Sequence, residues 1–268
     1  MASTIHPESA VRAQVERLVD VGVPQLAGIT AGQLREHAYA LLPPASPALA
    51  SHDPVSIDSA PHGLAPHGLA PHGRAPHGRA SRAPASQPAA TTGDPGSGRL
   101  VLAVHPSFVS VARLVTLLRR KGKAGFVVVD MSDLAEFTPT DDVSVPDAPL
   151  YLVEDVTRDD DMVDWTPTDA HAEYTRRGRT PLTISEGVSW LLQEPDQLEP
   201  GKCFMCIGSR RRKATGGLDA RTPALWISGG AGRDGRENKG APKVGWCSAN
   251  NHHTWLGFAS TSGRTGPA

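Results

Sequence analysis

Residues 202–260 read KCFMCIGSRRRKATGGLDARTPALWISGGAGRDGRENKGAPKVGWCSANNHHTWLGFAS. Four apolar runs stand out, CFMCIG, PALWISGG, KVGWCS and HTWLGFAS, each parted from the next by a polar loop. Runs this short, rich in β-branched and aromatic residues and bounded by Gly and Asn, read as strands rather than helices. Ala249 to His252 carry turn residues between the last two runs and predict a hairpin there. The last third of the chain is therefore expected to be a mostly antiparallel sheet.

Upstream, the period changes. Leu100–Val104 is a short apolar strand. Ser107 or Ser110 can cap a helix carrying Val111, Leu114, Leu117 and Leu118, and Arg119, Arg120, Lys121 and Lys123 suit its C-terminal end. GFVVVD, residues 125–130, is then a buried-type strand, and the three elements predict a βαβ start. LYLVEDV, residues 150–156, is a further strand. Trp165-Thr166-Pro167 opens a helix that ends near Arg177. Thr183 and Glu186 form a capping box ahead of Val188, Trp190, Leu191 and Leu192. Near the N-terminus, Pro7–Asp20 has helical spacing, Gly22 and Pro24 stop it, and a second helix follows Thr30 as far as Pro43-Pro44. The fold class is α+β: a helical N-terminal piece, a βαβ-type start and an antiparallel C-terminal sheet.

Composition divides the chain. Ala60 to Arg79 is a tandem pentapeptide, APHGL-APHGL-APHGR-APHGR, within a Pro- and Gly-rich stretch with little to bury. Residues 1–44 are expected as a helical segment, 45–98 as a disordered linker, 99–262 as the main domain and 263–268 as a flexible tail. The repeat histidines have no shared geometry to hold a metal, so the repeat is read as dispensable. The N-terminus lacks the pattern of a secretory signal, no apolar run is long enough for a membrane span, and three cysteines suit a reducing cytoplasm.

The formal net charge of −1 hides an asymmetry. Residues 131–200 carry 17 acidic and 4 basic side chains, whereas residues 201–268 carry 3 acidic and 11 basic ones. The bases fall in glycine-rich loops, and glycine lets backbone amides form a concave nest beside arginine's forked donors. Arg210, Arg211, Arg221, Arg233, Arg236 and Lys243 are thus candidate ligands for a small anion or an acidic protein partner. The competing reading is that the two halves neutralise one another. Nucleic acid is disfavoured because the tryptophans lie within apolar strand patterns.

A protein–protein interaction module, with the N-terminal helices as the docking element, is one alternative, and two further chemistries compete. Cys203, Cys206, Cys247 and His252 are candidate zinc ligands, but residues three apart in a strand point to opposite faces, and buried core thiols are the simpler reading. Cys247 with His252 or His253 has the parts of a thiol hydrolase. Asp130 and Asp133 sit where carboxylates can meet metals or ribose, but no glycine-rich turn precedes them. Ser132 or Asp133 as a cap for the following short turn is the preferred role.

GFVVVDMSDLAEF, VPDAPLYLV, RGRTPLTISEG, CFMCIGSRRRK, LDARTPALWISGG and APKVGWCSANNHHTWLGFAS together resemble a family of uncharacterised actinobacterial proteins, a domain of unknown function. The resemblance spans most of the chain outside the repeat. It implies a cytosolic bacterial protein and no activity, so it transfers no catalytic residue.

Overall fold

Thr183 starts the helix around which the fold is built. The computed structural model describes residues 7–43, 99–250, 252 and 255–268, apart from the side chains of Arg233 and Leu256. The repeat Ala60–Arg79, the linker around it, Asn251 and His253 lie outside these residues. Among the described residues the helices are α1 (Pro7–Val21), α2 (Val23–Ala27), α3 (Ala31–Tyr39), α4 (Val111–Val115), α5 (Pro167–Arg177) and α6 (Ile184–Gln193). The first strands are β1 (Val101–Val104), β2 (Arg119–Arg120), β3 (Lys123–Ala124), β4 (Phe126–Val127), β5 (Thr138–Pro139), β6 (Leu150–Glu154) and β7 (Thr157–Arg158). The others are β8 (Thr180–Pro181), β9 (Cys203–Met205), β10 (Ser209–Arg210), β11 (Arg221–Ile227), β12 (Pro242–Ser248), β13 (Leu256–Thr261) and β14 (Gly263–Thr265). The class is α+β, as the sequence predicts.

Local signals place the helices. Thr30 and Gln33 close a capping box on α3, Thr166 accepts the Asp169 amide at α5, and Thr183 and Glu186 close the box on α6. Every residue of α6 is buried. One side meets β1: Ser185 donates to the Val104 carbonyl at 2.7 Å, and the Val104 amide donates to Ser189 Oγ at 3.0 Å. The other side meets the large sheet at Gly187, where a Cβ would stand 2.5 Å from Cys206 Sγ and 2.9 Å from Leu225 Cδ1. Only glycine lets helix and sheet approach this closely.

The large sheet runs β4-β12-β11-β9-β13-β7, with β8 also on β13. Its strand pairs are antiparallel except β12–β4 and β13–β9. Alternation along the strands divides its faces. Phe204, Cys206, Leu225 and Val244 join the main core with α6, β1, β6 and the N-terminal helices. Cys203, Met205, Ala224, Cys247 and Phe258 form a second core with Met162, Ala170 and Tyr174. Val11, Val15, Leu18 and Leu34 belong to the main core, so the N-terminal helices pack on the domain.

Four expectations are corrected. The strands on either side of α4 do not make a βαβ unit: β1 pairs with β6, and β4 lies in the other sheet beside β12. The helix stops after five residues, and the basic run folds into the β2–β3 hairpin, whose turn residues Lys121 and Gly122 have positive φ. The last two apolar runs do not form a hairpin. β12 pairs with β11, and β13 crosses to the free edge of β9. Residues 263–268 are not simply a tail, because β14 pairs with β6 and Arg264 enters the core. Its guanidinium bonds both oxygens of buried Glu186, at 2.6 and 2.8 Å, and Tyr151 donates to the same carboxylate at 3.0 Å.

Candidate functional site

A cleft opens beside the first turn of α6. Its inner cavity, about 110 Å³, has walls from Pro106, Val111, Leu134, Phe137, Val145 and Ile184. Ser110, Tyr151, Thr183, Ser185 and Ser209 also contribute to its lining, which has no charged side chain among the described residues. Ser209 Oγ accepts the Ile184 amide at 3.0 Å, and Thr183 Oγ1 accepts the Glu186 amide at 3.3 Å. The Ser185 amide, between these two, has no protein partner among the described residues. A first-turn amide of this kind and the Ser209 hydroxyl proton are donors suited to an oxygen acceptor. A second cavity of about 250 Å³ shares Ser110, Val111, Leu134 and Ala135 with the first.

The outer wall is the turn Leu134–Glu136 with Phe137, and the basic residues hold it in place. Asp133, just before the turn, receives Arg221 at 2.6 Å and Arg211 at 2.5 Å. Arg221 also pairs with Asp219 at 3.0 Å and lies 5.2 Å above the Phe137 ring. Arg221 holds the Asp133 carboxyl below its ordinary range and brings that of Asp219 to about 2. Asp133 makes no side-chain cap on the turn, contrary to expectation, because the two arginines take its carboxylate.

Two of the other cations picked from the sequence are similarly engaged. Arg210 donates to the Asp219 carbonyl at 2.6 Å, and burial pushes its pKa down. Lys243 is buried and meets both oxygens of Asp234 at 2.6 Å, with its ammonium 4.3 Å from the Trp226 ring centre. The glycine-rich loop wraps this pair, with Ser228 Oγ donating to Asp234 at 2.8 Å. Arg236 is exposed, and the side chain of Arg233 lies outside the description. Arg212 pairs with Asp141, and Arg211 also reaches Glu136 at 2.8 Å. The acidic and basic segments thus neutralise one another across the fold. An anion at Arg211, Arg221 or Lys243 would have to displace a carboxylate.

The candidate metal ligands do not converge. Cys203 faces the second core while Cys206 packs on Gly187 of α6. Burial pushes the Cys203 thiol up to about 12 and raises that of Cys206 as well. Cys247 is buried in β12 opposite Thr222. His252 is exposed, and its Nδ1–H donates to the Asp164 carbonyl at 2.7 Å. Among the described residues no group of three or more His, Cys, Asp or Glu side chains can hold a metal ion. A thiolate needs electropositive, accessible surroundings, which Cys203 and Cys206 lack. The catalytic candidate His253 lies outside the described residues.

Residues 17–267 match a family model described as a family of unknown function (DUF5701). The chain belongs to this family. No curated protein and no solved structure matches it. The DUF5701 match includes every residue lining the cleft, the Asp133–Arg211–Arg221 clamp, and Arg264. Among the described residues of this DUF5701 member, no helix is long and apolar enough to cross a membrane. Reading by segment missed the cleft, whose lining comes from stretches near 106–111, 134–145, 151, 183–185 and 209. Of its parts, the capping box at Thr183 was legible in the sequence.

Proposed function

We propose that the protein binds a small uncharged molecule in the cleft at the start of α6. The reading rests on one observation: the cavity combines apolar walls and several hydroxyl-bearing residues with no charged side chain among its described lining residues. Binding sites for small molecules are typically concave and apolar with a few placed polar groups. An engineered apolar cavity of about 150 Å³ holds benzene, so the inner cavity suits a group of roughly that size or less. An oxygen at its inner end would meet the Ser209 hydroxyl and the Ser185 amide. On this reading Arg211 and Arg221 are positioning residues for the wall. The anionic ligand inferred from Arg210, Arg211, Arg221, Arg233, Arg236 and Lys243 gives way to a neutral one, because Arg210, Arg211, Arg221 and Lys243 are already compensated.

Calorimetric titration with 2-hexanone, and separately with inorganic phosphate, tests this. Saturable ketone binding that is lost in Val111→Phe, whose ring fills the cavity, is the expected result. A wild-type protein that ignores the ketone would end the reading. So would saturable phosphate binding that disappears in Arg236→Ala.

A further inference from the structure

We infer that the ligand is elongated: an uncharged, mostly apolar chain whose oxygen-bearing end sits at Ser185 and Ser209 and whose tail continues into the second cavity. This rests on the proposed small-molecule site and names its ligand class. Ser110, Val111, Leu134 and Ala135 line both cavities. The second is otherwise lined by Ala112, Val127, Val128, Val129, Met131 and Ser132, with no charged side chain among the described residues. Hydroxyl-bearing residues are thus more numerous along the first cavity, and the second offers mainly aliphatic contact.

Val129 marks the far rim. It is 77% exposed, on the short turn Val129–Met131, while its neighbours Val128 and Met131 are buried. A ligand tail along the second cavity would cover part of that aliphatic surface. The volumes, about 110 and about 250 Å³, bound the length. Scaled from a ~150 Å³ cavity that holds the six carbons of benzene, they accommodate on the order of a dozen heavy atoms. Leu134 and Ala135, which line both cavities, sit on the turn anchored through Asp133. The clamp by Arg211 and Arg221 therefore holds residues that head and tail would both touch.

The test is a homologous series of methyl ketones, from 2-pentanone to 2-undecanone, titrated into the full chain. Burying each added methylene should raise affinity about threefold to fourfold until the second cavity is filled. Val129→Asp, an exposed substitution that puts a charge at the rim, should lower the ratio of 2-undecanone to 2-hexanone affinity at least tenfold. Undecanoate should bind at least tenfold more weakly than 2-undecanone, because no cation lines the cleft. If 2-hexanone binds and longer ketones bind no tighter, the elongated ligand is overturned while the small-molecule site stands. If undecanoate binds more tightly than 2-undecanone, the uncharged class is overturned. If no ketone binds, both readings fall.

Discussion

At the residue scale, Glu186 shows how one side chain links the capping signal to the core. Its position three residues after Thr183 is legible as a capping box, and the box forms. Its partner is not legible, because Arg264 lies 78 residues away in a segment that looks like a tail. The pair is almost fully buried, with side-chain exposures of 5% for Arg264 and 1% for Glu186. Removing one member of such a pair leaves an uncompensated charge, which typically costs 3–5 kcal/mol. Arg264→Ala should therefore lower stability by about that amount in urea unfolding. Removing both charges, in Glu186→Gln with Arg264→Met, should cost much less. An Arg264→Ala protein as stable as wild type would show that β14 does not hold the start of α6. The long reach also explains why the cations at Arg211 and Arg221 looked vacant in the sequence. Their carboxylate at Asp133 lies 78 and 88 residues upstream.

At the element scale, local chemistry predicts where elements begin better than which elements pair. The caps at Thr30, Thr166 and Thr183 depend on neighbours within one turn and were readable. The destination of β13 depends on the free edge of β9, some fifty residues earlier, and no local spacing encodes it. The same applies to the edge of β1, which is satisfied by a helix rather than a strand. The Gln14 side-chain amide donates to the Leu100 carbonyl at 2.6 Å and accepts the Leu102 amide at 2.6 Å. In effect α1 supplies one rung of a sheet. An unpaired buried backbone group costs about 1–3 kcal/mol. Gln14→Ala should thus destabilise by roughly 1–3 kcal/mol and speed hydrogen exchange at the Leu102 amide. Unchanged exchange there would deny α1 that role.

At the scale of the whole molecule, the charge asymmetry is a folding device. Acidic and basic segments lie apart in sequence and interlock in space at Asp133–Arg221, Asp133–Arg211, Asp141–Arg212 and Glu186–Arg264. Asp133 and Asp219 have carboxyl pKa values depressed in the folded state, chiefly by hydrogen bonds from Arg221. A depressed pKa contributes stability above the unfolded value, and that stability is lost as pH falls through the folded one. For Asp219 the window runs from the ordinary carboxyl range down to about 2. Its contribution is on the order of 1 kcal/mol, since solvent still reaches the pair. Urea midpoints should fall between pH 4 and pH 2, and Arg221→Met should flatten that fall. An equal slope in the variant would remove the clamp from the acid response.

The engaged cations and the uncharged cleft together move the candidate site from the glycine-rich loops to the start of α6. Amide chemical-shift mapping during titration with 2-hexanone tests that relocation most directly. A ligand in the cleft predicts saturating shifts at Ser110, Leu134, Ser185 and Ser209, with little change between Gly229 and Lys243. Shifts confined to that loop, or none at all, would contradict it.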